Sequence, residues 1–223
     1  MNSAIVSHVP PLFAGPGQFF LIVPPSLDPF LPVRAWPFQI RNGRIESLST
    51  TSQAAHWLRT GDGIVRGPYG RPFAIPHHAR RVLILAENAD ALARMIPAAD
   101  ALAGADCEVA VVSPPDQEIE HCLAPEIEFR AAEDSLSAGS QLIPWADLVL
   151  ASGSFDLYDA LHAKAIAGRL LLSPGWAQIL LSDIPLACGT GLCHSCLVRT
   201  RRGSILACRD GPVMDLADWV VGQ

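Results

Sequence analysis

The sequence has few charged residues, few aromatic residues and no apolar run long enough to cross a bilayer. Of its 223 residues, 17% are charged and 7% are aromatic, whereas 50% are hydrophobic, so we expect a well-packed globular protein. The N-terminus lacks the basic-then-apolar pattern of a secretion signal, which predicts a cytoplasmic location. The net charge of -6 and the lack of a long basic run argue against nucleic acid or an anionic membrane as a partner.

Cysteine is also scarce except near the C-terminus, where four of the six cysteines follow a regular spacing. The members of this spacing, C-x4-C-x2-C-x11-C, are Cys188, Cys193, Cys196 and Cys208. The first three match the plant-type ligand run of a [2Fe-2S] cluster. Gly189 and Gly191 suit a tight loop that brings backbone N–H groups close to sulfur atoms. The motif therefore predicts that these four thiolates bind two irons.

Two other interpretations of these cysteines remain open. A structural zinc site also takes four cysteines, but its usual arrangement is two close pairs, which a triplet that opens with C-x4-C fits less well. Unrelated buried or disulfide-bonded cysteines are the other alternative. His194 lies inside the loop, yet four cysteines already complete the ligand set. We therefore expect it to be a hydrogen-bonding or solvent-facing neighbour.

The first third of the chain is rich in proline and glycine and predicts a small barrel. Residues 18–23, 36–40 and 43–48 have the composition of short strands bounded by turn residues. A brief helix is predicted over 52–58, where Ser52 is a candidate cap. Residues 61–73 contain a further strand, which ends in a Gly-Pro-Tyr-Gly turn.

The pattern changes near residue 80 to alternating strands and helices. Residues 81–86, 107–112 and 146–151 are apolar runs of the length of strands that are covered on both faces. Helices are predicted over 89–103 and 155–168. This order is typical of parallel strands joined by right-handed crossovers, as in nucleotide-binding α/β sheets.

The last fifty residues predict a strand over 177–181 and a hairpin beyond the cysteine loop. The hairpin strands are 196–200 and 204–208, and Arg201, Arg202 and Gly203 form its turn. This hairpin would return Cys208 to the side of Cys196.

The predicted fold class is mixed, with three units in order: a truncated β-barrel, an α/β parallel-sheet domain of the nucleotide-binding kind and a small C-terminal iron–sulfur domain. The predicted boundaries of these units are 1–76, 77–173 and 174–223.

With these parts in order, the chain resembles the electron transfer subunits of dihydroorotate dehydrogenase, which are ferredoxin reductase-like flavoproteins. The motifs that resemble them best are ACGTGLCHSC at 187–196 and CRDGPVM at 208–214. Weaker likenesses are PGQF at 16–19 and GPYGRPF at 67–73, where the family has Gly-Pro-Leu-Gly-x-x-Phe. The resemblance implies FAD beside the [2Fe-2S] cluster, a dihydroorotate dehydrogenase-like catalytic subunit as partner, and a place in pyrimidine biosynthesis.

The resemblance also implies which residues contact the flavin. These are Arg34, Trp36, Pro37, Phe38, Gln39, Gly67 and Gly70. Where the family reads Arg-Pro-Phe-Ser-Ile, this chain reads WPFQI at 36–40, so Trp36 replaces an arginine that pairs with phosphate. An indole cannot replace a guanidinium in that pairing, and flavin binding then depends on Arg34. The barrel is also short, since only 41–58 separate this strand from the next turn.

The turn after the first α/β strand departs from the family pattern as well. It reads AENAD at 86–90, with no glycine, and Glu87 and Asp90 would repel a pyrophosphate. We therefore do not expect NAD(P)H to bind in the usual way. Ser152-Gly153-Ser154 stands where the family has Cys-Gly-Pro.

Three functional hypotheses follow. The first is an electron transfer subunit that passes electrons between a flavin or NAD(P)H and a partner oxidoreductase through a [2Fe-2S] cluster. The second is a flavin-free iron–sulfur relay within a larger oxidoreductase, and the third is a zinc-stapled interaction module without a redox role. None requires a general acid or base, and the sequence predicts no catalytic residue.

Overall fold

The computed structural model describes residues 3–6, 14–23, 32–41, 44–48, 64–168 and 172–223. Its strands are β1 (Ser3–Val6), β2 (Phe19–Val23), β3 (Val33–Ala35), β4 (Pro37–Arg41), β5 (Arg44–Leu48), β6 (Ile64–Tyr69), β7 (Arg81–Ala86), β8 (Glu108–Ser113), β9 (Glu128–Ala131), β10 (Leu148–Ser152), β11 (Ala177–Leu180), β12 (Leu197–Thr200), β13 (Gly203–Leu206) and β14 (Val213–Asp215). Its helices are α1 (Ala89–Ala103), α2 (Gln117–Glu120), α3 (Ser135–Gly139), α4 (Phe155–Ala167) and α5 (Ala207–Asp210), and a 3-10 turn spans Leu216–Asp218.

The N-terminal part consists of two small antiparallel sheets, with strand orders β1-β5-β4 and β3-β2-β6. All five residues of β2 are buried, because its run FFLIV lies between β3 and β6 and packs into the core. The strands predicted over 18–23, 36–40 and 43–48 correspond to β2, β4 and β5. The helix predicted over 52–58 lies outside the described residues.

The central sheet has six strands in the order β14-β11-β10-β7-β8-β9. The strands from β9 to β11 run parallel, and β14 is antiparallel at the edge. Strands β7, β8 and β10 are almost wholly buried, as expected of apolar runs covered on both faces. The chain places β8 and β9 on one side of β7, then returns to place β10 on the other. The carboxyl ends of β7 and β10 therefore form the topological switch point of the sheet.

Helix α1 has the bounds that the sequence predicts, because its local signals agree with its packing. Asn88 caps its N-terminus, where the side-chain Oδ1 accepts the Ala91 N–H at 2.9 Å. The apolar positions recur at helical spacing and are buried. These buried residues are Ala91, Leu92, Ala93, Met95, Ile96, Ala98, Ala99 and Leu102.

The C-terminal residues join the central sheet. Strand β11 pairs with β10, and β14 then pairs with β11, with Met214 opposite Ile179. The hairpin of β12 and β13 lies in sequence between β11 and β14 and has the predicted strands within one or two residues. The unit predicted to begin at residue 174 therefore supplies two strands of the sheet that was expected to end at 173. Spacing alone does not show this, because β14 follows Cys208 and its partner lies far back in the sequence.

Seven of the described strands and helices have no counterpart in the sequence prediction, as does the 3-10 turn: β1, β3, β9, β14, α2, α3 and α5. They are three to five residues long, too short to show a clear hydrophobic period. Among the helices that the structure describes, none has the length and apolar character that a membrane span requires.

Candidate functional site

The cysteine loop begins at Cys188, beyond β11, and two of its glycines have dihedral angles that other residues rarely adopt. The φ angle is 71° at Gly189 and 83° at Gly191, a region in which a Cβ is sterically costly. The backbone N–H groups of Thr190 and Cys193 donate to the Cys188 thiol. The loop thus surrounds one sulfur with hydrogen-bond donors.

The hairpin brings the fourth cysteine back to the third. Leu197 lies opposite Leu206 across β12 and β13. The eleven residues between Cys196 and Cys208 therefore form a hairpin whose two ends lie side by side. The Cys208 N–H donates to the Cys196 Sγ at 3.5 Å, and the Ala207 N–H donates to the Cys196 carbonyl oxygen at 3.0 Å. Both cysteines are buried. The predicted reason for the C-x11-C gap is therefore confirmed.

Local interactions move the thiol pKa values in opposite directions. Burial opposes ionisation of Cys188, but hydrogen bonds from the backbone and side chains of Cys193 and Thr190 outweigh it and lower the pKa of Cys188 to about 6. Burial, with the nearby Cys196 and Cys188 sulfurs, raises the pKa of Cys208 to about 12. The Cys208 thiolate is therefore disfavoured unless a positive charge lies close to it. A metal centre would supply that charge.

Cys193 is the remaining cysteine of the motif, and its side chain is exposed. Its Sγ lies 3.0 Å from the Ser195 Oγ, and its side chain also interacts with Cys188. Within the described part of the chain, no three Cys, His, Asp or Glu side chains converge closely enough to hold one metal ion. Contacts link Cys188 with Cys193 and Cys196 with Cys208, and the Cys188 sulfur also lies near Cys208. Four cysteines are the ligand set of a [2Fe-2S] cluster, and the C-x4-C-x2-C run favours that cluster over a tetrahedral zinc.

The N-terminal part contributes a side chain that covers the cysteine loop. A Cβ placed on Gly189 would lie 2.6 Å from Cε2 of the Tyr69 ring. A Cβ on Gly70 would collide with the ring of Pro212, which follows the hairpin. The turn at 69–70 is therefore packed tightly against both ends of the cysteine unit.

Arg34 lies at the boundary between the N-terminal part and the central sheet, and protein groups already engage its guanidinium. Its Nη1 donates to the carbonyl oxygens of Ser182 and Ile184, both at 2.7 Å. Burial, with the nearby charge of Arg94, lowers the pKa of Arg34. Arg34 thus ties β3 to the loop after β11.

Trp36 is a core residue, with 9% of its surface exposed. Its ring centroid lies 5.4 Å from that of Phe19, and the guanidinium of Arg94 lies 6.0 Å from the indole centroid. The indole therefore contacts Phe19 of β2 and the Arg94 side chain of α1.

The other predicted flavin contacts lie in β4 or beside β2. Those in β4, which pairs with β5, are Pro37, Phe38 and Gln39. Gly67 has a φ angle of 130°, and a Cβ there would lie 2.9 Å from the Phe20 ring. Packing within the protein therefore accounts for the glycine at position 67, as contact with Pro212 does for Gly70.

Glu87 follows β7 at the switch point and binds the N-terminus of α4. Its Oε2 accepts the Ser154 N–H at 2.5 Å, and its Oε1 accepts the Ser154 hydroxyl at 2.7 Å. A Cβ on Gly153 would lie 2.7 Å from this carboxylate. Since Asn88 caps α1 nearby, side chains of the chain itself cap both helices that begin at this edge.

The cysteine unit is similar to a domain of known proteins. Residues 185–219 match the family model described as the iron–sulfur cluster binding domain of dihydroorotate dehydrogenase B, and this span holds all four cysteines of the motif. The C-terminal unit is therefore similar to the iron–sulfur cluster binding domain of this family. The resemblance of the C-terminal motifs to dihydroorotate dehydrogenase electron transfer subunits is thereby confirmed.

Solved structures share the fold over most of the chain. A structure described as an NADH-dependent reduced ferredoxin-NADP oxidoreductase matches with a TM-score of 0.71 and 20% identity, over 93% of this chain and 80% of that one. The cytochrome P450 reductase GcoB of Amycolatopsis matches with a TM-score of 0.56 and 15% identity, over 79% of this chain and 63% of that one. These likenesses confirm the predicted mixed architecture, since the chain shares the fold of these reductases.

Two residues of the site were not singled out from the sequence. One is Tyr69, which the sequence could have indicated, because a tyrosine stands there in place of the leucine of the Gly-Pro-Leu-Gly turn. The other is Arg94, which contacts Trp36 and donates to the Ser182 Oγ at 3.1 Å. Its position in the middle of a helix gives no local sign of that role.

Proposed function

We propose that this chain is an electron transfer subunit that exchanges single electrons with a partner oxidoreductase. The proposed cluster ligands are Cys188, Cys193, Cys196 and Cys208. A [2Fe-2S] cluster held by them supplies a one-electron redox centre. The observation that carries the proposal is that the hairpin returns Cys208 to Cys196, with the Cys188 sulfur nearby, within the span that matches the iron–sulfur family model.

The chain's own residues would orient the ligands and limit the access of water. Cys196 and Cys208 are buried against the core, and Tyr69 covers the loop at Gly189. On the other side Cys193 is exposed, and the neighbouring Leu192 has 84% of its surface exposed. This asymmetry supports exchange of electrons with the partner through the 192–193 side of the loop.

A dihydroorotate dehydrogenase-like catalytic subunit is the proposed partner. The support is the matched family model, whose description names dihydroorotate dehydrogenase B. The pathway would then be pyrimidine biosynthesis. Copurification with such a subunit from the native cells, and reduction of the cluster by dihydroorotate in the complex, would test this assignment.

FAD is the proposed second cofactor, at the boundary between the N-terminal part and the central sheet. The shared fold supports it, since one similar structure is described in terms of flavin-based electron bifurcation. However, Arg34 donates to two carbonyl groups and Trp36 is packed in the core. We therefore expect less than one FAD per purified chain. The same contacts favour the flavin-free relay as the second candidate function.

Anaerobic purification followed by iron, sulfide, zinc and flavin analysis tests these proposals together. We expect a brown protein with about two irons and two sulfides per chain, and a visible spectrum that bleaches on reduction. A colourless protein with stoichiometric zinc would replace the electron transfer proposal with the zinc-stapled module. One FAD per chain would overturn the flavin expectation alone.

A further inference from the structure

In open α/β sheets, ligands bind in the crevice outside the carboxyl ends of the strands, at the switch point. In this chain the switch point lies between β7 and β10. Glu87 follows β7, and Gly153 and Ser154 follow β10. The side chain of Glu87 crosses from one strand end to the other, since its carboxylate binds Ser154. An acidic group of the protein itself thus occupies this crevice.

The surroundings of the Glu87 carboxylate match what a bound phosphate requires. It accepts two hydrogen bonds at the N-terminus of α4, a helix of 13 residues, where the helix dipole favours a negative charge. It also lies so close to Gly153 that a Cβ there would be 2.7 Å from Oε2. In dinucleotide sites, a glycine allows this close approach to the ligand.

We propose that Glu87 substitutes for a ligand phosphate and excludes pyridine dinucleotides from the sheet edge. A pyrophosphate needs free backbone donors, but the Ser154 N–H already donates to Glu87 and the Gly153 N–H donates to the Tyr158 hydroxyl at 3.1 Å. The first turns of α1 and α4 also carry Asp90 and Asp156. A dinucleotide would therefore meet occupied donors and further negative charge.

The cleft beside Glu87 reinforces this exclusion. It has a volume of about 420 Å³. Its charged lining residues are Glu87, Glu133, Asp134, Asp156 and Lys164. Four carboxylates and one ammonium give an environment that disfavours polyanions. This inference deepens the proposed function, because it removes NAD(P)H bound at this edge as the electron donor, but it does not depend on the presence of a cluster.

Titration of the purified full-length chain with NADH, ADP and inorganic pyrophosphate tests the proposal. We expect no saturable binding to the wild-type chain at millimolar concentrations. In Glu87→Ala the donors of Ser154 become free, and we expect ADP and NADH to bind at least tenfold more tightly than the wild-type limit. The matched control is Glu133→Ala, which removes a carboxylate from the same cleft but leaves Ser154 engaged, and should gain no comparable affinity.

Each outcome decides the question. Saturable micromolar binding of NADH or NADPH by the wild-type chain would overturn the proposal, and so would a gain in Glu133→Ala as large as that in Glu87→Ala. If Glu87→Ala does not fold, Glu87→Ser serves instead, since it removes the charge and its shorter side chain also releases the Ser154 N–H. A folded variant at position 87 with no gain in affinity would show that Glu87 does not close the edge. Iron analysis of the same samples tests the cluster separately.

Discussion

The ring of Tyr69 occupies the space in which a side chain at position 189 would stand. A Cβ on Gly189 would lie 2.6 to 2.7 Å from three carbons of that ring. The φ angle of 71° at Gly189 also favours glycine. The backbone conformation and the packing at position 189 therefore both require glycine. The close packing of the barrel turn against the loop that carries Cys188 depends on this glycine.

Gly189→Ala is therefore expected to impair the cluster loop more than backbone strain alone would. The strain costs about 1–2 kcal/mol, and displacement of the Tyr69 ring adds about 1–3 kcal/mol. The matched control is Gly175→Ala, since Gly175 has a φ angle of 85° but no atom within 4 Å of its Cβ position. Urea unfolding and iron content per chain would measure both effects. Equal losses in the two variants would contradict the packing argument.

Cys193→Ser is expected to bleach the visible chromophore or prevent its formation. A hydroxyl is a poor substitute for a thiolate on iron. Cys122→Ser is the control, because Cys122 lies after α2, outside the motif, and its thiol donates to a backbone carbonyl at 3.5 Å. Absorption spectra and iron content would be compared in freshly purified protein. A Cys193→Ser protein with its full spectrum would refute the ligand assignment.

The alternation of strands and helices and the hairpin could be predicted from the sequence because local patterns specify them. The bounds of α1 follow from a cap and a 3.6-residue period, and the hairpin from its turn residues. The contacts that define the sheet edge could not be predicted in this way. Glu87 and Ser154 are 67 residues apart in sequence, and nothing near either residue identifies the other. The carbonyl partners of Arg34, about 150 residues away, could not be predicted for the same reason.

Tyr158→Phe is expected to destabilise the protein by about 1–3 kcal/mol, because it removes a buried hydroxyl that satisfies two backbone groups. This hydroxyl donates to the Leu180 carbonyl oxygen at 2.5 Å and accepts the Gly153 N–H at 3.1 Å. Its burial also raises the pKa of Tyr158. The other tyrosine, Tyr69, is only partly buried, so Tyr69→Phe is the control. Chemical denaturation would compare the two variants, and a larger loss in Tyr69→Phe would contradict the expectation.

Asp147→Asn is expected to lower stability near neutral pH by about 0.5–1 kcal/mol. Asp147 accepts hydrogen bonds from the Arg81 side chain and from the backbone N–H groups of Arg80 and Arg81. The Arg81 side chain is the main cause that lowers the pKa of Asp147 from 3.8 to about 2.

The sign of the pH dependence follows from that lowered value. The carboxylate stabilises the fold fully above the unfolded pKa of 3.8 and loses this effect as the pH falls through about 2. The difference in unfolding free energy between wild type and Asp147→Asn should therefore shrink over that interval. Denaturation at a series of pH values would measure it. A difference that stays constant down to pH 2 would exclude this role of the ionised group.

The pairing of Met214 with Ile179 has a consequence for modular exchange. A fragment cut at residues 185–219 would keep the four cysteines of the motif but would carry β14 without β11. The truncated remainder would present β11 as a bare edge strand, which is prone to aggregate. Transfer of the cluster unit into another protein would therefore require a recipient whose parallel sheet has an unpaired edge strand with which β14 can pair.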